Sequence, residues 1–403
     1  MVEIDGSHLT AESVVKVARG HETVAITESG IQAIQESNTI LTNILARDEP
    51  VYGINTGFGI FADRTIDPCE RNLLSRNLIL SHAVATGLAL PEEVVRAAML
   101  VRANALTKGF SGVRLEIIQT LIDMLNRGVT PVVPEQGSLG SSGDLSQLSH
   151  LALVFTTDEE DNEKNSGQAY YQGRVMSGRA AMQAAGIRRI ILGPKEGLAL
   201  NNGATFSAGL ASLSVHDAHY LLIVANYALG MSLEALMGAS SAFNERLHHA
   251  RGHLGQIQAA RRVNDITDGS TLMDGAGRIQ DAYSLRCAPQ VQGAAADTIA
   301  FVTNTIETEI NAATDNPLLF APDQALSGGN FHGEPVGLAM DFLGIAMAEV
   351  GAISERRIFR LTDGRLNGGL PPMLVDDMAA AGINSGLMMP QYTAASLVLE
   401  NQT

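Results

Sequence analysis

Residues 137–144 read Gly137-Ser138-Leu139-Gly140-Ser141-Ser142-Gly143-Asp144 and run directly into Leu145-Ser146-Gln147-Leu148-Ser149-His150. In its plainest form this is a glycine- and serine-rich turn feeding a helix, with Ser142 or Asp144 placed as the N-cap. A second reading is covalent. In a Ser-Ser-Gly bend the amide nitrogen of Gly143 can attack the carbonyl carbon of Ser141, and a glycine has no Cβ to obstruct the approach. Loss of one water from the new ring and one from the Ser142 side chain leaves a conjugated exocyclic methylidene, a methylidene-imidazolone (MIO). Ordinary side chains donate electrons or protons. This group accepts electrons, which otherwise takes a bound cofactor.

The bulk numbers set scale and class. With 403 residues the chain has room for a large core and two or three domains. Its 45% hydrophobic content rests on Ala, Leu, Ile, Val and Met, with 4% aromatics and no Trp, a palette that favours long packed helices over aromatic-rich sandwiches. A formal charge of −16 argues against nucleic acid or an acidic membrane as partner. Cys69 and Cys287 stand far apart, so neither a disulfide framework nor a cysteine-ligated metal is expected. The start, Met1-Val2-Glu3-Ile4-Asp5, lacks the order of a signal peptide. The most apolar helical stretch, 221–236, is interrupted by Asn226 and Glu234, which argues against a membrane span. The expected compartment is cytoplasmic.

Hydrophobic spacing predicts two helices within 10–50, the first capped by Thr10, and further helices over 68–83, 91–106 (with Pro91 at its first position) and 113–126. Residues 158–163 read as an acidic solvated loop, 167–175 as a hairpin, 176–186 as a helix and 189–192 as a strand, the one region with clear β signal. Beyond Gly197 long helical stripes dominate, such as Ile299, Val302, Ile306 and Ile310, with further helices over 338–361 and 385–400. The expected fold is mainly α: a smaller, mostly helical N-terminal domain over 1–196 and a long-helix bundle over 197–403.

Polar loops interrupt these helices. Val51-Tyr52-Gly53-Ile54-Asn55-Thr56-Gly57-Phe58-Gly59 is too rich in glycine for a helix and fits no phosphate-binding glycine pattern. His82 ends the apolar run Leu78-Ile79-Leu80-Ser81. Asn201 and Asn202 stand at a helix entrance before Gly203. Gln280, Tyr283 and Arg286 are spaced by threes and share a face if that segment is helical. Ser327-Gly328-Gly329-Asn330-Phe331-His332-Gly333-Glu334 is another glycine-rich turn leading into a helix. Each alone reads as a loop, a cap or a packing side chain. Their number in one chain is harder to explain that way.

Taken in order, these stretches resemble the MIO-dependent aromatic amino-acid ammonia-lyases and aminomutases, the histidine ammonia-lyases most closely. The resemblance spans the chain: 52–59, 80–83, 137–144, 197–203, 280–287, Asp315-Asn316-Pro317, 327–335, Ser354-Glu355-Arg356-Arg357 and Asn384-Ser385-Gly386-Leu387-Met388. It implies a fumarase/aspartase-like long-helix architecture, assembled as a homotetramer whose active sites draw loops from three subunits. It implies that Ser141, Ser142 and Gly143 form the MIO group autocatalytically, without an external cofactor or a metal. Tyr52 then matches the residue that removes the substrate's β-proton. Asn202, Tyr283 and Gln280 match residues around the MIO and the substrate amine, and Tyr283 also assists proton transfer. Arg286 matches the arginine that holds the substrate carboxylate, while His82, Phe331 and Met388 match residues of the substrate pocket.

The residue types suit that chemistry. Arg286 offers a planar fork to a carboxylate, and a phenol with an ordinary pKa of about 10 needs a positive environment to act as a base. Ser81-His82 favours a ring with a polar edge, because a buried imidazole needs a partner. The implied substrate is a small aromatic amino acid: L-histidine, giving urocanate, or else tyrosine or phenylalanine for a lyase or 2,3-aminomutase. A catalytically impaired scaffold is a further alternative. Three departures bear on this. Ser141 replaces the usual alanine, Gln147 stands where proline is usual and is expected to loosen the helix start, and the chain ends at Thr403 where family members continue through more helices. The missing part would include an acidic active-site residue and would cover apolar surface.

Overall fold

In the computed structural model residues 1–47 and 49–402 are described; the ending at Thr403 lies outside them. The first helices form where spacing and caps direct them. Thr10 Oγ1 accepts from Ser13 N at 3.2 Å and caps Ala11–Ala18, and Thr27 does the same for Glu28–Ala46. Arg71–His82, Glu92–Thr107 and Leu115–Arg127 follow. Pro91 stands at the N-cap of its helix, one place earlier than expected. Leu115–Arg127 buries Ile117, Ile118, Leu121, Ile122 and Leu125 on one face, whereas Glu92–Thr107 is buried almost all round, Arg96 and Arg102 included.

The hairpin falls at Gln168–Tyr171 and Arg174–Ser177, with Thr130–Pro131 added to its edge. The strand expected at 189–192 forms as Ile190–Ile191 beside Thr156–Thr157, and other pairs among the described residues were not expected: Val2–Ile4 with Val24–Ile26, Thr86–Ala89 with Pro134–Gln136, and Leu318–Phe320 with Gln324–Leu326. Strands of three or four residues are too short to show a period of two.

The chain forms two compact units. One comprises Met1–His216 with Thr303–Leu338, the other Asp217–Val302 with Ala339–Thr403. In the first, Leu41, Ile44, Ile54 and Leu319 form one apolar cluster. In the second, Leu229, Leu233, Leu236, Phe243, Val263, Leu285, Ala288 and Ile353 close a core. The long helices are Thr205–Ala235, Ala288–Glu309 and Glu334–Thr362. By length and composition the first and third are long and apolar enough to cross a membrane. Both also carry ionisable residues along their length, among them Asp217, Glu234, Asp341 and Glu349.

Leu233 is wholly buried in the second core. Leu233→Ala is expected to cost about 2–5 kcal/mol through lost burial and the residual cavity; a thermal midpoint equal to that of the parent would contradict this packing.

Candidate functional site

The tripeptide lies just before the helix Leu145–Phe155. Asp144 takes the N-cap position there, with φ −95° and ψ 51°, yet its side chain does not cap that helix. Instead its carboxylate accepts from Ser207 N at 2.8 Å, Ser207 Oγ at 3.0 Å and Ser138 Oγ at 2.6 Å. Ser207 belongs to the first turn of Thr205–Ala235. The capping role read for Asp144 therefore goes to a different helix, whose positive end favours a buried carboxylate.

Gly143 and Gly203 pair backbone to backbone as a parallel bridge. Asp144 N donates to Gly203 O at 2.9 Å, and Gly203 N donates to Ser142 O at 3.4 Å. Gly143 has φ +76°, and a Cβ there would run into the backbone of Gly203, so only glycine fits. Asn202 Nδ2 donates to the same Ser142 oxygen at 2.9 Å. Behind this contact Arg102 donates to the carbonyls of Asn202 at 2.7 Å and Ala199 at 3.2 Å. Burial pushes the Arg102 guanidinium down to about 10, against the charges of Asp315 and Asp144, so it remains a cation near neutrality.

This arrangement fits an MIO group. Closure would join Gly143 N to the Ser141 carbonyl carbon, and the Ser142 oxygen would become the ring carbonyl. That oxygen already has two donors. Ser142 is half-buried and Ser141 is exposed.

The other polar loops of the first unit gather on the same stretches. Asn55, wholly buried, accepts from Val51 N at 2.7 Å and donates to Glu49 O at 2.8 Å, which fixes the half-buried Tyr52 between them in sequence. Next to Tyr52, Gly53 lies against Leu198 and Pro317. The loop of Phe331 docks through Gly333 N, which donates to Gly140 O at 2.9 Å; Phe331 is half-buried. His82 Nδ1 faces Leu78 O at 2.9 Å. Ser81 Oγ also lies 3.0 Å from Nδ1, so that nitrogen is engaged within its own helix and Nε2 is the one left to meet a ligand. Gln147 holds the helix start to the preceding strand, its amide donating to Glu135 O at 3.3 Å and Pro134 O at 3.5 Å.

Gln280, Tyr283, Arg286 and Met388 belong to the second unit. The helix there covers only Tyr283–Arg286, so Gln280 lies outside it and the three residues do not share a helical face. Arg286 stacks its guanidinium 4.4 Å from the Tyr283 ring centre and donates through Nε to Asp281 O at 2.9 Å. Asp281 is buried and paired with Arg278 at 2.7 Å. Gln280, Arg286 and Gln290 line a cavity of about 770 Å³; Met388 lines another of about 620 Å³ with Met373 and Tyr392.

The sequence reading did not single out Arg102, nor Glu309 at the end of Ala288–Glu309. Burial, with the Asp144 charge second, pushes the Glu309 carboxyl up to about 7. An arginine inside an apolar helical run and an acid at a helix C-terminus were the available signals.

The model of the family described as aromatic amino acid lyase matches residues 9–403. The histidine ammonia-lyase of Caldanaerobacter subterraneus subsp. tengcongensis is 50% identical over 404 residues, covering 100% of this chain and 77% of that protein. Among solved structures, the phenylalanine aminomutase of Pantoea agglomerans superposes with a TM-score of 0.94 at 32% identity, covering 100% of this chain and 80% of its own. The histidine ammonia-lyase of Trypanosoma cruzi gives 0.88 at 38% identity, with coverage of 100% and 74%.

Because the folded state raises the Glu309 pKa, its contribution to stability is complete below the ordinary value of 4.5 and is lost as pH rises through about 7. Glu309→Gln is expected to raise the thermal midpoint at about pH 8 and to leave it unchanged at about pH 4. Equal shifts at both pH values would contradict the assignment.

Proposed function

The chain belongs to the aromatic amino acid lyase family, and we propose that it eliminates ammonia from L-histidine to give urocanate, with an MIO group made from its own Ser141, Ser142 and Gly143. The observation that carries the choice of ring is His82, whose Nδ1 is engaged by Leu78 O and Ser81 Oγ so that the polar Nε2 is left to meet the substrate. An imidazole or a phenol offers that nitrogen a hydrogen-bond partner, whereas a phenyl ring leaves it unpaired at a cost of about 1–3 kcal/mol. Curated relatives named histidine ammonia-lyase, at 43–50% identity over the whole chain, favour imidazole over phenol.

When formed, the MIO group supplies the electrophile that turns the substrate amine into a leaving group. The chain's other residues bind, orient and move protons. Asn202 Nδ2 and Gly203 N hold the Ser142 oxygen with two donors, the arrangement that steadies negative charge on oxygen. Tyr52 takes the β-proton, and its neighbours Asn55 and Gly53 hold its loop still. Arg286, set by its bond to Asp281 O and its stacking on Tyr283, offers the carboxylate clamp. Tyr283 assists proton transfer, Gln280 meets the amine, and Phe331 and Met388 complete the pocket.

The second unit exposes Tyr220, Tyr227, Met231, Phe342 and Ile345 on its long helices, at 47–71%. Apolar surface of that kind supports a homotetramer whose sites draw on several copies, in the cytoplasm, with no nucleic-acid or membrane partner.

Incubating the full chain with histidine, tyrosine and phenylalanine and identifying the products tests this reading. Urocanate and ammonia are expected, and His82→Leu should lower kcat/KM for histidine about 10–100-fold. Histidine left untouched while tyrosine gives coumarate or a β-amino acid would overturn it. Light scattering should return four chains per particle; a monomer would contradict the assembly.

A further inference from the structure

Ser146 and His150 lie one turn apart on Leu145–Phe155, the helix that follows the tripeptide, and so share a face. Both accept from consecutive backbone amides of another segment. Val84 N donates to Ser146 Oγ at 3.3 Å, and Ala85 N donates to His150 Nε2 at 3.1 Å. An N–H only donates, so His150 is neutral, with its proton on Nδ1; burial holds its pKa below the ordinary value. Val84 and Ala85 are the second and third residues after His82.

The chain ahead of the tripeptide grips the same segment. Thr86 pairs with Gln136 in an antiparallel ladder. Gly137 lies so close that a Cβ on it would stand 3.1 Å from Ala85 Cα and 3.2 Å from Ser146 Cβ. The backbone leaving His82 is therefore held by residues on both sides of Ser141-Ser142-Gly143.

We propose that Ser146 and His150 are positioning residues that fix His82 in register with the tripeptide, so that one helix sets the distance between the ring-recognising side chain and the electrophile. The proposal rests on the reading in which His82 meets the substrate ring. An alternative is that the two side chains merely satisfy loop amides. The two roles differ in kinetics. Misplacing His82 weakens ring recognition and spares turnover, whereas a purely structural bond affects stability alone.

The test is steady-state kinetics of the full chain with whichever polar-ring substrate the parent accepts, compared with phenylalanine. His150→Phe keeps the bulk and removes the acceptor. It should raise KM about tenfold, hold kcat within about twofold, and reduce discrimination against phenylalanine by a similar factor. His150→Gln, whose amide oxygen can accept, should restore most of the loss. Ser146→Ala, a milder change, should act in the same direction if His150→Phe folds poorly. In a His82→Leu background, His150→Phe should have no further effect on discrimination. Unchanged KM and discrimination, or a fall in kcat at constant KM, would overturn the proposal. A parent inert toward every aromatic amino acid would sink the functional reading instead. Amide exchange at Val84 and Ala85 would then still decide the clamp: faster exchange in His150→Phe supports it, and unchanged exchange refutes it.

Discussion

Two backbones touching without a side chain between them, Gly143 against Gly203, govern the rest of the candidate site. The bridge brings a turn and a helix entrance, 60 residues apart, close enough that Ser142 O receives both Gly203 N and Asn202 Nδ2. Gly203 itself has φ +129° and lies against Thr314 O and the Arg102 guanidinium. Neither glycine has room for a Cβ. The same contact that excludes other residues also holds the tripeptide bent, which is the condition for an amide nitrogen to reach a carbonyl two residues back.

Around that bridge the charges are arranged at a cost. Arg102 is buried and spends its donors on carbonyls, while Asp144 accepts from the amide and hydroxyl of Ser207 and from Ser138. Each charge is compensated by hydrogen bonds rather than by direct contact with a counter-ion, which keeps burial tolerable. Lys195 and Asp315, both buried, do form a direct pair. Among the described residues Glu309 has no such compensation, and burial, with the Asp144 charge second, pushes its carboxyl up to about 7.

The helices were legible because their apolar periodicity runs over many residues, as in Leu115–Arg127 and Ala288–Glu309. The strand pairs were not, since three residues carry no period. The polar loops could be picked out by composition, but their partners could not. Nothing local marks Asp144 for a helix beginning 61 residues later, or His150 for the amide of Ala85. Such bonds are set by tertiary approach, which outweighs the local cap that the sequence offers. Gln280 shows the opposite error: a spacing of threes looked helical, but the chain helps itself to a single turn, Tyr283–Arg286, because Asp281 is anchored by Arg278 and by the amide of Ala239.

The central claim is that the glycine bridge holds Ser141-Ser142-Gly143 in a shape that cyclises. Its most direct test is the mass of the proteolytic peptide containing residues 141–143, measured for the parent and for Gly203→Ala. The parent peptide should be lighter by two waters, and the Gly203→Ala peptide should keep its full mass in protein that remains folded. A parent peptide at full mass, or complete dehydration in folded Gly203→Ala, would contradict it.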